Sequence, residues 1–249
     1  MEKPSLSTMV VLYTTNLKVD TTKLLECIPI NETIIKIEKR GMQKRGESKK
    51  DKIKHRAKKE EKVQKNTGFG HNSITLVMMN DGDGYLRPKE ITIKIFQNGV
   101  FHLTGVLDDR YDMSCMRILM NVLWTSCQEA LKDIPEKYEI LSRRVVLMNY
   151  TTKLTNISNI PREALFIAIR NGKFENTNCH YDPDVYPGVK IHIGPDKWTA
   201  KVFRTGKVIL TGITNPAECE KFIEQLLSLF ALVLPQGPMK QTLSGTIGQ

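Results

Sequence analysis

The chain has 249 residues, of which 40% are hydrophobic and 26% charged, enough for one sizeable core or two small ones in a globular protein. A formal net charge of +10 points to an anionic partner, while no run approaches the roughly 20 apolar residues of a bilayer span, so no membrane partner is expected. The five cysteines (Cys27, Cys115, Cys127, Cys179, Cys219) are far apart and odd in number, which argues against a disulfide framework or a zinc site and fits a reducing compartment.

The opening Met1-Glu2-Lys3-Pro4-Ser5 lacks the basic-then-apolar pattern of a secretion signal. An apolar strand is predicted over 9–17 and a short helix over 21–28. Residues 36–65 then carry 14 Lys/Arg against 5 Asp/Glu, a net of +9, leaving the other 219 residues near +1. With few apolar residues this stretch should be a mobile arm, at most transiently helical, serving as a solubilising loop or as a nonspecific phosphate-binding arm. Strands follow over 73–79, 90–96 and 100–106, the last two joined by the hairpin signal Asn98-Gly99. A long helix over 111–131 closes this half.

The second half has the same order. A strand is predicted over 145–154, a helix over 161–170, and strands over 189–193, 198–203 and 207–213, with Thr205-Gly206 as the hairpin turn. Asn215-Pro216 caps a final helix to about residue 232, whose Phe222, Leu226, Leu227 and Phe230 share one apolar face. The Gly/Pro/Ser/Thr-rich tail, 235–249, is expected to be disordered.

Two matches suggest that the halves are copies. Ile93-Lys94-Ile95-Phe96 through Leu103-Thr104-Gly105 finds a counterpart 107 residues later in Ala200-Lys201-Val202-Phe203 through Leu210-Thr211-Gly212. Tyr13-Thr14-Thr15 matches Tyr150-Thr151-Thr152 at a spacing of 137. The spacings differ by 30 residues, the length of the basic stretch 36–65, which therefore reads as an insertion into the first copy. The expected organisation is a first repeat over 1–140, a second over 141–234, and the tail.

Strand alternation sorts the side chains into two faces. Ile91, Ile93, Ile95, Phe101 and Leu103, with Trp198, Ala200, Val202, Val208 and Leu210, should lie beneath the long helices. The opposite face carries Thr92, Lys94, Phe96, His102 and Thr104 in one copy and Thr199, Lys201, Phe203, Ile209 and Thr211 in the other. Such polar groups are costly to bury unpaired, so this face should be open to a ligand. Hydroxyls, lysines and aromatic rings suit a nucleic acid, either as minor-groove contacts with wedges or as a stacking platform for single strands.

The run Tyr181-Asp182-Pro183-Asp184-Val185-Tyr186-Pro187-Gly188 through Gly212 resembles the second repeat of the TATA-box-binding protein family. The resemblance implies an α+β fold, a two-repeat saddle whose curved antiparallel sheet carries two long helices on its convex face. It also implies a non-enzymatic transcription initiation factor without cofactor, catalytic or metal site. Its partners would be double-stranded, A·T-rich promoter DNA, a transcription factor IIB-like protein and RNA polymerase. In the family, phenylalanine pairs wedge into the duplex from the minor groove and kink it. Phe96 and Phe203 match one of each pair, Tyr186 stands at the second partner position, and the first falls near Phe69 or His71. Thr104 and Thr211 match groove-facing threonines, Lys207 a phosphate-contacting lysine and Asn149 one of two base-reading asparagines, with Thr151 in the same DNA-contacting set. The other asparagine is replaced by Val10 or Leu12. Lys94 and Lys201 stand where the family has leucines, which implies a wetter, more electrostatic face and weaker preference for TATA. Asp182 and Asp184 replace glutamates that contact transcription factor IIB.

Divergence on this scale looks more like a large DNA virus than a cellular factor, with a nuclear location or, if viral, a cytoplasmic factory or virion. A protein-interaction module or decoy with the same fold is the alternative. The histidines His55, His71, His102, His180 and His192 show no metal spacing, and no phosphate loop or nucleophile motif appears.

Overall fold

The computed structural model describes residues 1–52, 72–155, 159–194 and 198–234. The far half of the insertion, 53–65, the tail at 235–249, and both Phe69 and His71 lie outside the described residues. The chain divides into two compact units, Thr8–Leu147 and Met1–Ser7 with the described residues from Met148 onward.

In the Thr8–Leu147 unit the elements are β1 (Ser5–Thr15), β2 (Lys18–Val19), α1 (Thr21–Cys27), β3 (Ile34–Glu38), β4 (Arg45–Gly46), β5 (Ser73–Asn80), β6 (Lys89–Phe96), β7 (Val100–Val106), α2 (Asp109–Ser126) and β8 (Leu131–Lys132). The sheet runs β1-β7-β6-β5-β3-β4, antiparallel throughout. Ile91, Ile93, Ile95, Phe101 and Leu103 are fully buried, as alternation requires, and α2 packs across β5, β6 and β7 with Cys115, Met116, Leu119 and Leu123 inward. Asp108 caps α2 by accepting the Arg110 N–H at 3.0 Å. Asp112 is buried on α2, where it accepts the Tyr13 hydroxyl at 2.6 Å and Arg143 Nε at 2.8 Å.

The second unit contains most of β9 (Ile140–Lys153), then α3 (Arg162–Gly172), β10 (Thr177–Asp182), β11 (Tyr186–Ile193), β12 (Thr199–Val202), β13 (Lys207–Ile213) and α4 (Pro216–Val233). Its sheet runs β10-β11-β12-β13-β9, which is the order β3-β5-β6-β7-β1 over again. Trp198, Ala200, Val202, Val208 and Leu210 form a core with Phe222, Leu226 and Phe230 of α4. Asn215 caps α4 through the Glu218 N–H at 3.0 Å. Residues 2–7 join this unit: the Glu2 N–H donates to Lys153 O at 2.8 Å, and Ser7 Oγ to Asn149 O at 2.9 Å.

Gly99 and Gly206 turn the β6–β7 and β12–β13 hairpins at φ of 77° and 78°. A Cβ on Gly99 would lie 2.0 Å from Leu17 O, so that position excludes a side chain.

Four expectations are corrected. First, the insertion is not a mobile arm from its first residue, because 36–52 folds. Lys36 belongs to β3 and is buried, paired with Glu38 at 2.5 Å and Asp51 at 2.8 Å. Arg45 Nη1 donates to the carbonyls of Leu25, Glu26 and Ile28 at 2.8, 2.8 and 3.0 Å, satisfying acceptors at the end of α1. Second, the helix predicted to residue 131 ends at Ser126. Ala130 and Leu131 are buried, which fits helical spacing, but Ala130 O accepts the Asp20 N–H at 2.7 Å and Leu131 pairs with Val19.

Third, β3 and β10 were not foreseen. The stretch Thr-Asn-Cys-His-Tyr-Asp of β10 has no buried residue to mark a strand. Fourth, the tyrosine match misplaces the opening strands by two residues. Thr15 N–H donates to Gly99 O at 3.0 Å and Leu154 N–H to Gly206 O at 2.9 Å, so the corresponding positions of β1 and β9 are 139 apart. Three matching residues are too few to set a register, whereas the hydrogen bonds define it.

Candidate nucleic-acid interface

Each sheet has one face under helices and one open face. In the Thr8–Leu147 unit, cross-strand pairing sets Glu38, Thr75, Lys94, His102 and Leu12 in one row across β3, β5, β6, β7 and β1. The next row is Lys36, Val77, Thr92, Thr104 and Val10. Lys94 is exposed, while Phe96, His102 and Thr104 are half-buried. Phe96 borders a largely apolar depression of about 370 Å³ with Leu12, Lys94, Asn98, Val100 and His102. Burial, and then the neighbouring Lys94 charge, push the His102 pKa below its ordinary value, so this imidazole is neutral at pH 7.

In the second unit the matching row is His180, Lys190, Lys201, Ile209 and Thr151 across β10, β11, β12, β13 and β9. The Tyr186 and Phe203 rings meet edge-on, centroids 5.8 Å apart and planes at 61°. Lys190 Nζ and Lys201 Nζ lie 5.2 and 5.8 Å from the Tyr186 centroid, within cation–π range. Gly188 makes room for the pair, because a Cβ there would stand 3.0 Å from Tyr186 and 3.3 Å from Phe203. Thr211 pairs with Thr199, which is buried and shares a hydrogen bond with His192 Nδ1 at 3.0 Å. Thr199 is therefore held within the sheet.

Lys207 is exposed opposite Lys153, whereas the place of Lys207 in the first unit belongs to Val100, opposite Thr14. Asn149 lies on β9 between Tyr150, which pairs with Leu210, and Met148, which pairs with Ile213. Its Oδ1 is buried without a hydrogen-bond partner, a costly arrangement unless a ligand completes it. The register gives the counterpart of Asn149 as Val10, not Leu12, since Val10 faces Thr104.

Asp182 and Asp184 lie in the turn joining β10 and β11. Asp182 Oδ1 accepts the N–H groups of Asp184 at 3.1 Å and Val185 at 3.3 Å, so Asp182 shapes the turn that presents Asp184 and the 77%-exposed Val185. Sequence reasoning missed Lys190, although alternation from Tyr186 would have placed it on the open face. Lys39, Arg40 and Lys44, within the stretch expected to be a solubilising loop or a phosphate-binding arm, line a pocket with Lys94. Among the described residues no helix is long and apolar enough to cross a membrane, and no group of three or more His, Cys, Asp or Glu is placed to hold a metal.

These features define a class: a two-unit α+β protein, each unit an antiparallel sheet with helices on one face and an open polar-aromatic face. Residues 156–232 match the family model described as transcription factor TFIID, or TATA-binding protein. TATA-box-binding proteins 2 and 1 of Methanosarcina acetivorans are 39% identical over 44 residues and 34% over 47, covering 18% and 19% of this chain. The matched stretches span only 24% and 26% of those relatives, about a quarter of their length. The solved structure of Methanococcus jannaschii TBP aligns over 92% of this chain and 99% of its own, with a TM-score of 0.56 at 15% identity. Residues 156–232 are thus similar to the TATA-binding protein family, and the chain shares the α+β fold of the Methanococcus jannaschii structure.

Proposed function

We propose that the chain is a transcription initiation factor that binds promoter DNA through the minor groove, bends it, and recruits a transcription factor IIB-like partner and RNA polymerase. The supporting observation is the paired composition of the open faces: Lys94 with Lys201, Thr104 with Thr211, and Phe96 with Phe203 stand at matched strand positions. Aromatic rings at strand ends suit wedging between base steps, and hydroxyls and ammonium groups suit groove edges and phosphates. In this reading the Asn149 side chain turns its NH2 to donate to the acceptors of the A·T minor-groove edge, and the Asp184–Val185 turn is the docking point for the protein partner.

The lysines at the Lys94 and Lys201 positions favour electrostatic over sequence-specific binding. They are also what would support the second reading, a protein-binding or decoy module that keeps the fold. End-labelled duplexes measured by fluorescence transfer distinguish the two. The wild-type chain should bend an A·T-rich duplex, and Phe96→Ala with Phe203→Ala should abolish the bend while the thermal unfolding midpoint stays within a few degrees. A wild-type chain that leaves the duplex unbound would overturn the proposal.

A further inference from the structure

The folded part of the insertion lies at the edge of the first unit's open face. After β3 the backbone turns at residues 39–44 and returns as β4, whose Gly46 pairs with Lys36. The turn and the sheet together enclose a pocket of about 400 Å³ lined by Glu38, Lys39, Arg40, Met42 and Lys44 from the insertion and Ser73, Thr75 and Lys94 from β5 and β6. The lining thus holds four cations against one carboxylate, and that carboxylate already pairs with the buried Lys36. Lys39 Nζ is steadied by the Thr21 and Thr22 hydroxyls at 2.5 and 3.0 Å. Lys44 is exposed, with Asp51 at 3.6 Å, and Arg40 is exposed as well.

Two further observations tie this pocket to the open face. Lys94 lines both it and the depression beside Phe96, and Ser73 pairs with Phe96 across β5 and β6. The first unit also lacks a lysine in the place of Lys207, where it has Val100. Cations brought by the insertion thus stand on the unit that has Val100 in the place of Lys207.

We propose that residues 39–44, with Ser73, Thr75 and Lys94, form a phosphodiester-binding pocket that extends the DNA contact of the first unit beyond Phe96. The exposed Arg40, Lys44 and Lys94, with the half-buried Thr75 hydroxyl, provide the donors that a phosphate group accepts. The inference rests on the duplex-binding reading above.

The test is a salt titration of duplex affinity by fluorescence anisotropy on the full chain. It compares wild type, Arg40→Gln with Lys44→Gln, and a control pair on the helices of the other unit, Arg170→Gln with Lys221→Gln. Each lost phosphate contact lowers the slope of log affinity against log salt by about 0.9. The Arg40/Lys44 variant should lose about 1.8 from that slope and the control none. An unchanged slope in the Arg40/Lys44 variant, alongside weakened binding by Phe96→Ala, overturns the pocket and leaves the duplex reading standing. An equal loss in the control also overturns it, since net charge alone would then be responsible. A wild-type chain that binds no duplex overturns both.

Discussion

Lys36 and Asp51, 15 residues apart in the insertion, meet at 2.8 Å with the Lys36 side chain only 6% exposed. This contact turns a run of charges into structure. Burial opposes the Lys36 charge, but the hydrogen bonds it donates to Asp51 and Glu38 outweigh it and raise the pKa. Asp51→Ala leaves Lys36 with Glu38 alone, at a local cost of about 1–2 kcal/mol. Trypsin should then cut after Arg40 and Lys44 several-fold faster than in the wild type, and an unchanged digestion rate would refute the role given to the pair.

The same carboxylate sets a pH dependence. Hydrogen bonding from Lys36, and then from the Ser48 N–H, holds Asp51 well below the ordinary carboxylate range. A depressed folded-state pKa stabilises the segment above the unfolded value, about 3.9, and that contribution is lost as pH falls toward the folded value. The Ser48 amide, which donates to Asp51 Oδ2 at 2.9 Å, reports the transition. Its NMR shift should hold steady down to about pH 4 and move only in stronger acid; titration at the ordinary aspartate value would contradict the pairing.

Asp112 is the costliest polar group to lose. It is fully buried and holds both Tyr13 and Arg143. Asp112→Ala should cost about 2–3 kcal/mol in urea unfolding, because the Tyr13 hydroxyl loses its acceptor and the Arg143 guanidinium keeps only Asp109, at 2.6 Å, as an ionic partner. A cost below about 1 kcal/mol would mean that water replaces the carboxylate.

Replacing Lys94 and Lys201 by leucine tests the electrostatic character of the open faces. Each lysine contributes about 0.9 to the salt slope if it neutralises a phosphate, so the double variant should lose about 1.8. Discrimination between A·T-rich and G·C-rich duplexes should rise at the same time. A variant with unchanged slope and selectivity would place both lysines outside the interface.

Asn149→Val should leave the fold as stable or slightly more so, by up to about 1 kcal/mol, since it removes a buried carbonyl that has no partner. The same change should reduce affinity for A·T-rich duplex about tenfold. A large loss of stability would show that the amide serves the fold rather than a ligand.

The sheet core was legible in the sequence because Ile91, Ile93, Ile95, Phe101 and Leu103 alternate and are all buried. The pairing of Lys94 with Lys201 and of Phe96 with Phe203 was legible for the same reason, since one hairpin register serves both units. The correspondence between the opening strands was not, because Tyr13 and Tyr150 are both buried yet occupy different register positions. Nor was the folded half of the insertion. Composition treats Lys36, Glu38, Arg45 and Asp51 as solvated charges, whereas here they satisfy one another and the end of α1.

The bonds from residues 2–7 to β9 join positions 142 to 151 residues apart. Loop closure over that distance is slow compared with the hairpins that build the rest of each sheet. During synthesis from the N-terminal side this short segment must wait, unpaired, until β9 has been made. The Thr8–Leu147 unit can assemble almost entirely from residues already present, so the two units should acquire their structure in order. Residues 2–7, among the earliest of this sequence to be made, find their partners only once β9 has emerged.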